Sequence, residues 1–160
     1  MKHLSVRIFL LVATGLIGCA LSSEHAQAAP VSTCVDFSTF PDNTVLGPTL
    51  QAGFHFQQLG VPAMFANQTA GRVGLQFPNA GLEVTLPPTR RVKMVIGTFG
   101  GPVTLEVRNG ANLLSSQVIN TSNTYRPLVV TKPVPFTKLV FRGGNNEAIV
   151  VRICADLNCN

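Results

Sequence analysis

Apolar and polar residues alternate along most of the chain with the period of two expected of a half-buried β-strand. Phe54 and Phe56 flank His55, and Val73, Leu75 and Phe77 alternate with Gly74 and Gln76. Leu82, Val84 and Leu86 alternate with Glu83 and Thr85. Val92, Met94 and Ile96 interleave with Lys93, Val95 and Gly97, and Val103, Leu105 and Val107 with Thr104, Glu106 and Arg108. The same pattern predicts strands over 112–119, 127–131, 136–142 and 147–154. Turn residues separate these runs at Pro78-Asn79-Ala80-Gly81, Pro87-Pro88, Gly100-Gly101-Pro102, Asn109-Gly110 and Gly143-Gly144-Asn145-Asn146. Asn109-Gly110 is the sharpest hairpin signal, because a type I′ turn needs positive φ at both central residues. No apolar stripe of helical period is present; a short helix or turn around 61–70 is the one candidate. Strands with one core face and one wet face predict an all-β fold, a single antiparallel β-sandwich of jelly-roll type.

The first and last runs specify how the chain closes. Cys34-Val35-Asp36-Phe37 opens the patterned region, and Ile149–Cys154 ends it. Laid antiparallel with Cys34 opposite Cys154, Asp36 faces Arg152, while Val35 and Phe37 face Ile153 and Val151. One face then carries a disulfide and an ion pair, and the other is apolar. Two independent chemistries select one register, so the N- and C-terminal strands are expected to be neighbours.

Ahead of this region, residues 1–28 have the layout of a signal peptide. Lys2 and Arg7 precede a mostly apolar stretch from Ile8 to Leu21, and Ala26-Gln27-Ala28 supplies small residues before a mature start at Ala29. A competing reading starts from Leu16-Ile17-Gly18-Cys19, which resembles a lipoprotein lipobox. There the signal is 1–18 and Cys19 is acylated. Either route exports the chain, to the periplasm or medium in the first case and to a membrane anchor in the second. No later apolar stretch has the length of a transmembrane helix. Residues 29–33 are expected to form a short linker and 34–160 the sandwich domain.

Removing residues 1–28 leaves 132 of the 160 residues, enough for one domain with a real core. Ten basic and six acidic residues remain, a net +4. The basic residues are scattered, which argues against a nucleic-acid partner; only Arg90-Arg91-Lys93 approaches a cluster. Cys34, Cys154 and Cys159 survive processing, so export implies one bridge and one remaining thiol. Cys34–Cys154 follows from the strand register. Cys34–Cys159 also ties the tail to the first strand, whereas Cys154–Cys159 closes only a small loop.

The strands C-V-D-F, G-L-E-V-T-L-P, V-x-M-V-I-x-x-F, G-P-V-T-L-E-V-R-N-G and E-A-I-V-V-R-I-C, in that order, resemble galactose-binding-like jelly rolls of carbohydrate-binding-module type in exported bacterial proteins. The resemblance covers most of 34–154. It implies non-catalytic recognition through loops at one end, with an envelope glycan or protein as partner, and a structural calcium ion near the terminal strands. The chain departs from sugar-binding members in having no Trp and a single Tyr. The expected function is an exported, non-catalytic binding module at the cell envelope, recognising glycan or another envelope polymer. The alternatives are an assembly protein docking to an envelope partner and, third, a small hydrolase.

Catalytic chemistry is poorly supplied. His55, the only histidine after residue 28, falls on the outward side of its strand, and no G-x-S-x-G elbow exists. Among the carboxylates only Asp42 and Glu147 occupy loops. Extending the terminal register sets Pro41 opposite Glu147 and Asp42 opposite Asn146. Asp42, Asn43, Asn145, Asn146 and Glu147 thus form a candidate calcium set, since calcium takes six to eight oxygen ligands. The competing reading makes Asn145-Asn146 turn residues that tolerate positive φ. For ligand binding, the Pro62–Arg72 segment offers Met64, Phe65, Asn67, Gln68 and Arg72, joined by Tyr125 and Arg126 from a second loop. Met64 and Phe65 have the alternative role of capping the core.

Overall fold

The computed structural model describes residues 31–69 and 71–157. The signal segment, Cys19 and Cys159 lie outside these residues. The described residues form ten strands: β1 (Val31–Asp36), β2 (Thr49–Gln51), β3 (Phe54–Gln58), β4 (Phe65–Thr69), β5 (Arg72–Phe77), β6 (Leu82–Thr98), β7 (Val103–Asn109), β8 (Asn112–Ile119), β9 (Tyr125–Gly143) and β10 (Ala148–Leu157). Every pairing is antiparallel. The result is a β-sandwich whose two layers share the long strands β6 and β9. One layer holds β4, β5, β1, β10, the second half of β6 and the first half of β9. The other holds β2, β3, the first half of β6, the second half of β9, β7 and β8.

Prolines make the corner between layers. The β6–β9 ladder keeps only Thr89↔Phe136 between Thr85↔Lys138 and Arg91↔Thr131, and this gap contains Pro87, Pro88, Pro133 and Pro135. Proline removes the ladder donor, yet its φ near −65° suits an extended chain. The strands therefore bend and continue, where the sequence pattern gave each as two separate runs.

The inward sides of both layers form one core. Phe37, Phe54, Phe56, Phe77, Phe136 and Phe141 are fully buried within it. Each contributes roughly 1.5–3 kcal/mol by leaving water. Phe37 meets Phe56 edge to face, with ring centroids 5.0 Å apart.

β1 and β10 adopt the register that the residue chemistry required, with Cys34 opposite Cys154 and Asp36 opposite Arg152. The two cysteines are bonded. The ion pair is not formed. Asp36 Oδ1 instead accepts hydrogen bonds from Ser38 N (2.9 Å) and Ser38 Oγ (2.6 Å), capping a 3-10 turn at Phe37–Thr39. A partner two residues away costs less side-chain and backbone ordering than a long arginine across the ladder. β1 also begins at Val31, so 31–33 pair with β10 and do not serve as a linker.

Two further expectations change. Within the 61–70 stretch, Phe65–Thr69 forms β4 and pairs with β5 in place of a helix or turn. The β7–β8 hairpin is displaced by one residue. Asn109 pairs with Asn112, leaving Gly110 and Ala111 as the turn, with Gly110 at φ 57°. Glycine at the first central position is the requirement of a type II′ turn, not the type I′ turn expected.

Candidate functional site

The outward face of the β1-containing layer brings together aromatic, apolar and basic side chains. Rows across β1, β10, β6 and β9 read Ser32–Asp156–Arg91–Thr131, Cys34–Cys154–Lys93–Val129 and Asp36–Arg152–Val95–Pro127. A bulge in β10 between Val150 and Arg152 resets the register. Beyond it, the next row runs Phe65–Gln76–Ile149–Gly97–Tyr125. At 3.3 Å per residue, the face is about 20 Å long from Tyr125 to Thr131.

One end of this face is aromatic. A Cβ placed on Gly97 would lie 2.7 Å from Phe99 Cε2 and 2.8 Å from Tyr125 Cε1, so both rings rest against the bare glycine backbone. Phe99 and Tyr125 meet edge to face at 5.3 Å. The Arg72 guanidinium sits 5.1 Å from the Phe99 ring centre, and its Nη2 is 3.2 Å from Glu147 Oε2. The Tyr125 hydroxyl accepts a 2.6 Å hydrogen bond from Val73 N–H. Burial lifts the Tyr125 phenol above its ordinary pKa of 10.0, while the Val73 amide and the Arg72 charge pull the other way. Beneath the group, Ile149 is fully buried although it faces away from the sandwich core. The loop leading to Tyr125 is fixed by buried Thr98 and Thr121. Thr98 N–H donates to Thr121 Oγ1 at 2.8 Å, and Thr121 N–H donates to Thr98 Oγ1 at 2.9 Å.

The middle of the face is a shallow apolar trough with basic rims. Val95, Pro127 and Val129 form its floor and Lys93 and Arg152 its sides, enclosing about 210 Å³. Val129 is 51% exposed there. Asp156 is largely buried, accepts a hydrogen bond from Ser32 Oγ (2.7 Å), and lies 3.8 Å from Arg91 Nε and 3.6 Å from Lys93 Nζ. Arg152 has no ion-pair partner among the described residues.

The opposite layer presents a different surface. Two ion pairs lie on it, Lys138 Nζ 2.7 Å from Glu83 Oε1 and Arg108 Nη2 2.8 Å from Glu106 Oε2, while exposed Arg142 donates to the Ala80 carbonyl at 3.1 Å. His55 is exposed on β3 of that layer, opposite Leu50 and Thr85. No hydrolytic constellation forms around it from these pairs.

The expected site residues divide. Arg72 and Tyr125 come together in the aromatic group. Met64 is fully buried in the core, and Phe65 is half-buried on the outward side of β4. Asn67 is buried and donates from Nδ2 to Gln76 Oε1 at 2.6 Å. Gln68 donates from Nε2 to the carbonyls of Phe37 (3.1 Å) and Phe40 (3.0 Å), tying β4 to the first turn. Arg126 is exposed and lines a separate hollow with Gln117, Val118 and Asn120. Phe99 and Gly97 were not singled out, although a glycine at an outward strand position marks a close approach by another group.

The calcium set is not gathered, because the β1–β10 ladder stops at Asp36↔Arg152, short of Pro41. Asp42 accepts from Gln68 N–H (2.7 Å) and Asn43 Nδ2 (2.9 Å). Asn146 Oδ1 accepts from Asn79 N–H (2.7 Å), Asn145 N–H donates to Asn79 Oδ1 (3.0 Å), and Glu147 pairs with Arg72. Asn43, Asn145 and Asn146 adopt φ of 59°, 49° and 63°, the turn role their side chains tolerate. Among the described residues, no three His, Cys, Asp or Glu side chains are grouped to hold a metal ion. No helix among them is long and apolar enough to cross a membrane.

No protein-family model matches the sequence, and no curated protein does. Solved structures are similar in fold. One mutant of CBM29-2, a family 29 carbohydrate-binding module, aligns with TM-score 0.52 and 14% identity over 78% of this chain and 91% of that one. A second mutant of the same module gives TM-score 0.50 at 14% identity over the same shares. The chain has a carbohydrate-binding-module-like β-sandwich fold.

Proposed function

We propose that this chain is an exported, non-catalytic glycan-binding module, and that it recognises its ligand on the outward face of the β1-containing layer. The observation that carries the reading is the continuous surface from Tyr125 and Phe99 to the Val95–Pro127–Val129 trough. Sugars present apolar C–H faces and polar rims, and this surface offers rings and aliphatic side chains beside Arg72, Glu147, Lys93 and Arg152. The neighbours in fold are carbohydrate-binding modules, which supports the same assignment by analogy. A non-catalytic role is favoured because Glu83, Glu106 and Glu147 each pair with a basic residue, and Asp36 and Asp42 cap or bridge backbone. Export rests on the character of residues 1–28 and on the Cys34–Cys154 bridge, which belongs to an oxidising compartment.

Affinity electrophoresis through gels containing soluble polysaccharides tests the reading. Retardation of the protein by at least one polysaccharide, abolished by Val129→Asp, is expected. Free migration through all of them, or retardation indifferent to that change, would refute it.

A second reading has one observation in its favour. β8 closes the opposite layer as an edge strand, with Leu113 52% and Val118 71% exposed, and an unpaired strand edge is a template for a protein partner. Crosslinking from Val118→Cys to an envelope protein, together with no glycan response, would favour it.

A further inference from the structure

Resting on the glycan reading, we infer that the ligand is an acidic polysaccharide, its uronate carboxylates held by Arg152 and Lys93 at the rim of the trough. The argument starts from the charge that the fold leaves over. Arg152 lies opposite Asp36 in the β1–β10 ladder, where an ion pair would form at no cost in register. Asp36 is instead engaged by Ser38, so the guanidinium stands exposed and uncompensated beside an apolar floor. Two rows further along β10, Asp156 is shared by Arg91 and Lys93 at 3.8 and 3.6 Å, while the face's Glu147 is taken up by Arg72 at its aromatic end. Both distances exceed hydrogen-bond contact, and both basic side chains are about half exposed, at 50% and 49%. Beside the trough, three cationic heads, Arg91, Lys93 and Arg152, thus stand near two carboxylates, of which Asp156 is largely buried and Asp36 is turned to Ser38.

The opposite face shows that this is not a property of the surface as a whole. There Lys138 and Arg108 each hold a carboxylate at 2.7 and 2.8 Å, and exposed Arg142 donates to the Ala80 carbonyl at 3.1 Å, one cation without a carboxylate and with no apolar trough beside it. Arginine presents a planar fork that matches a carboxylate bidentately, and lysine adds a point charge. Arg152 and Lys93 are diagonal neighbours on adjacent strands, with Val95 beside both and Val129 on the far side of Lys93. A sugar ring laid on Val95, Pro127 and Val129 would therefore carry its carboxylate to a basic rim. A neutral polymer would use the same floor and leave both cations unanswered.

The test compares carboxylated polysaccharides (polygalacturonate, alginate and hyaluronan) with their methyl-esterified forms, by calorimetry on the protein with its disulfide intact. At least one acid form should bind about tenfold or more tightly than its ester, reflecting loss of a charge-assisted contact. Arg152→Ala and Lys93→Ala should each weaken that binding about tenfold, and raising salt should weaken it further. Arg142→Ala, on the other layer, should leave it unchanged. Equal binding of acid and ester would overturn the inference and leave the glycan reading intact. Equal binding of polyglutamate would also overturn it, because charge alone would then explain the affinity. Binding of neither the acids nor the esters would overturn the inference, and the electrophoresis with neutral polysaccharides would then decide the glycan reading separately.

Discussion

Gly97→Ala places a methyl group where the structure has least room for one. Its Cβ would lie 2.7 Å from Phe99 Cε2 and 2.8 and 2.9 Å from Tyr125 Cε1 and Cδ1. Carbon atoms rest at about 3.5–4.0 Å, so the Tyr125 ring must retreat by roughly 1 Å. That motion stretches the 2.6 Å bond between Val73 N–H and the Tyr125 hydroxyl beyond hydrogen-bonding reach. The lost bond costs about 1 kcal/mol, and partial uncovering of Ile149 adds about 0.5–1 kcal/mol. The new alanine restrains the unfolded chain and returns about 0.4–1 kcal/mol. A net destabilisation of about 1 kcal/mol is expected. Urea unfolding measures it, and Tyr125 reports the mechanism because it is the only tyrosine in a chain without tryptophan. Its absorbance titration should change, because the phenol loses both its burial and the Val73 amide. In a Tyr125→Phe background the glycine substitution should cost about 1 kcal/mol less, since no hydroxyl bond remains to be lost. Unchanged stability together with an unchanged phenol titration would refute the packing of Tyr125 over Gly97.

The same tyrosine gives a pH prediction. Its folded pKa is raised above 10.0, so its stabilising contribution is complete below pH 10 and is lost as pH rises from there through the folded value. Tyr125→Phe should flatten that alkaline decline; an identical profile would contradict the assigned burial. Replacing Cys34 and Cys154 by serine opens a loop with sequence separation 120. The chain-entropy estimate is about 5 kcal/mol, so the melting temperature should fall by about 10 °C or more, and a fall under about 3 °C would count against the bridge. Calcium and chelator should give melting temperatures within about 1 °C of each other, because the oxygens of Asp42, Asn146 and Glu147 already have protein partners. A calcium-dependent rise removed by Asp42→Asn would reverse that conclusion.

Much of the fold was legible because separate chemistries agreed on it. Cys34, Asp36 and Val35 each selected the same register against β10. The ion pair inferred from that register failed because Ser38 offered Asp36 a nearer partner, a local choice that cross-strand pairing does not reveal. β4 was hidden by its inward positions. Ala66 is small and Gln68 polar, the latter holding the Phe37 and Phe40 carbonyls, so no apolar alternation marks the strand. The corner strands were divided because proline breaks a hydrogen-bond ladder without ending extended conformation. At the site, Arg72 and Tyr125 were recognisable as polar and aromatic residues on separate segments. Nothing in the local pattern marks Phe99, which only ends the V-x-M-V-I-x-x-F stretch. Only the register, which brings Gly97 beside Tyr125 and Ile149, shows that the outward face carries a ring there.

The account's central claim is that ligand recognition belongs to the outward face of the β1-containing layer. Amide chemical-shift mapping of the protein during titration with a retarding polysaccharide tests it most directly. The account predicts shifts concentrated at Arg91–Gly97, Tyr125–Thr131 and Arg152–Asp156, with the Tyr125 neighbourhood and the trough responding together. Shifts concentrated instead on β7, β8 and the second half of β9 would contradict it.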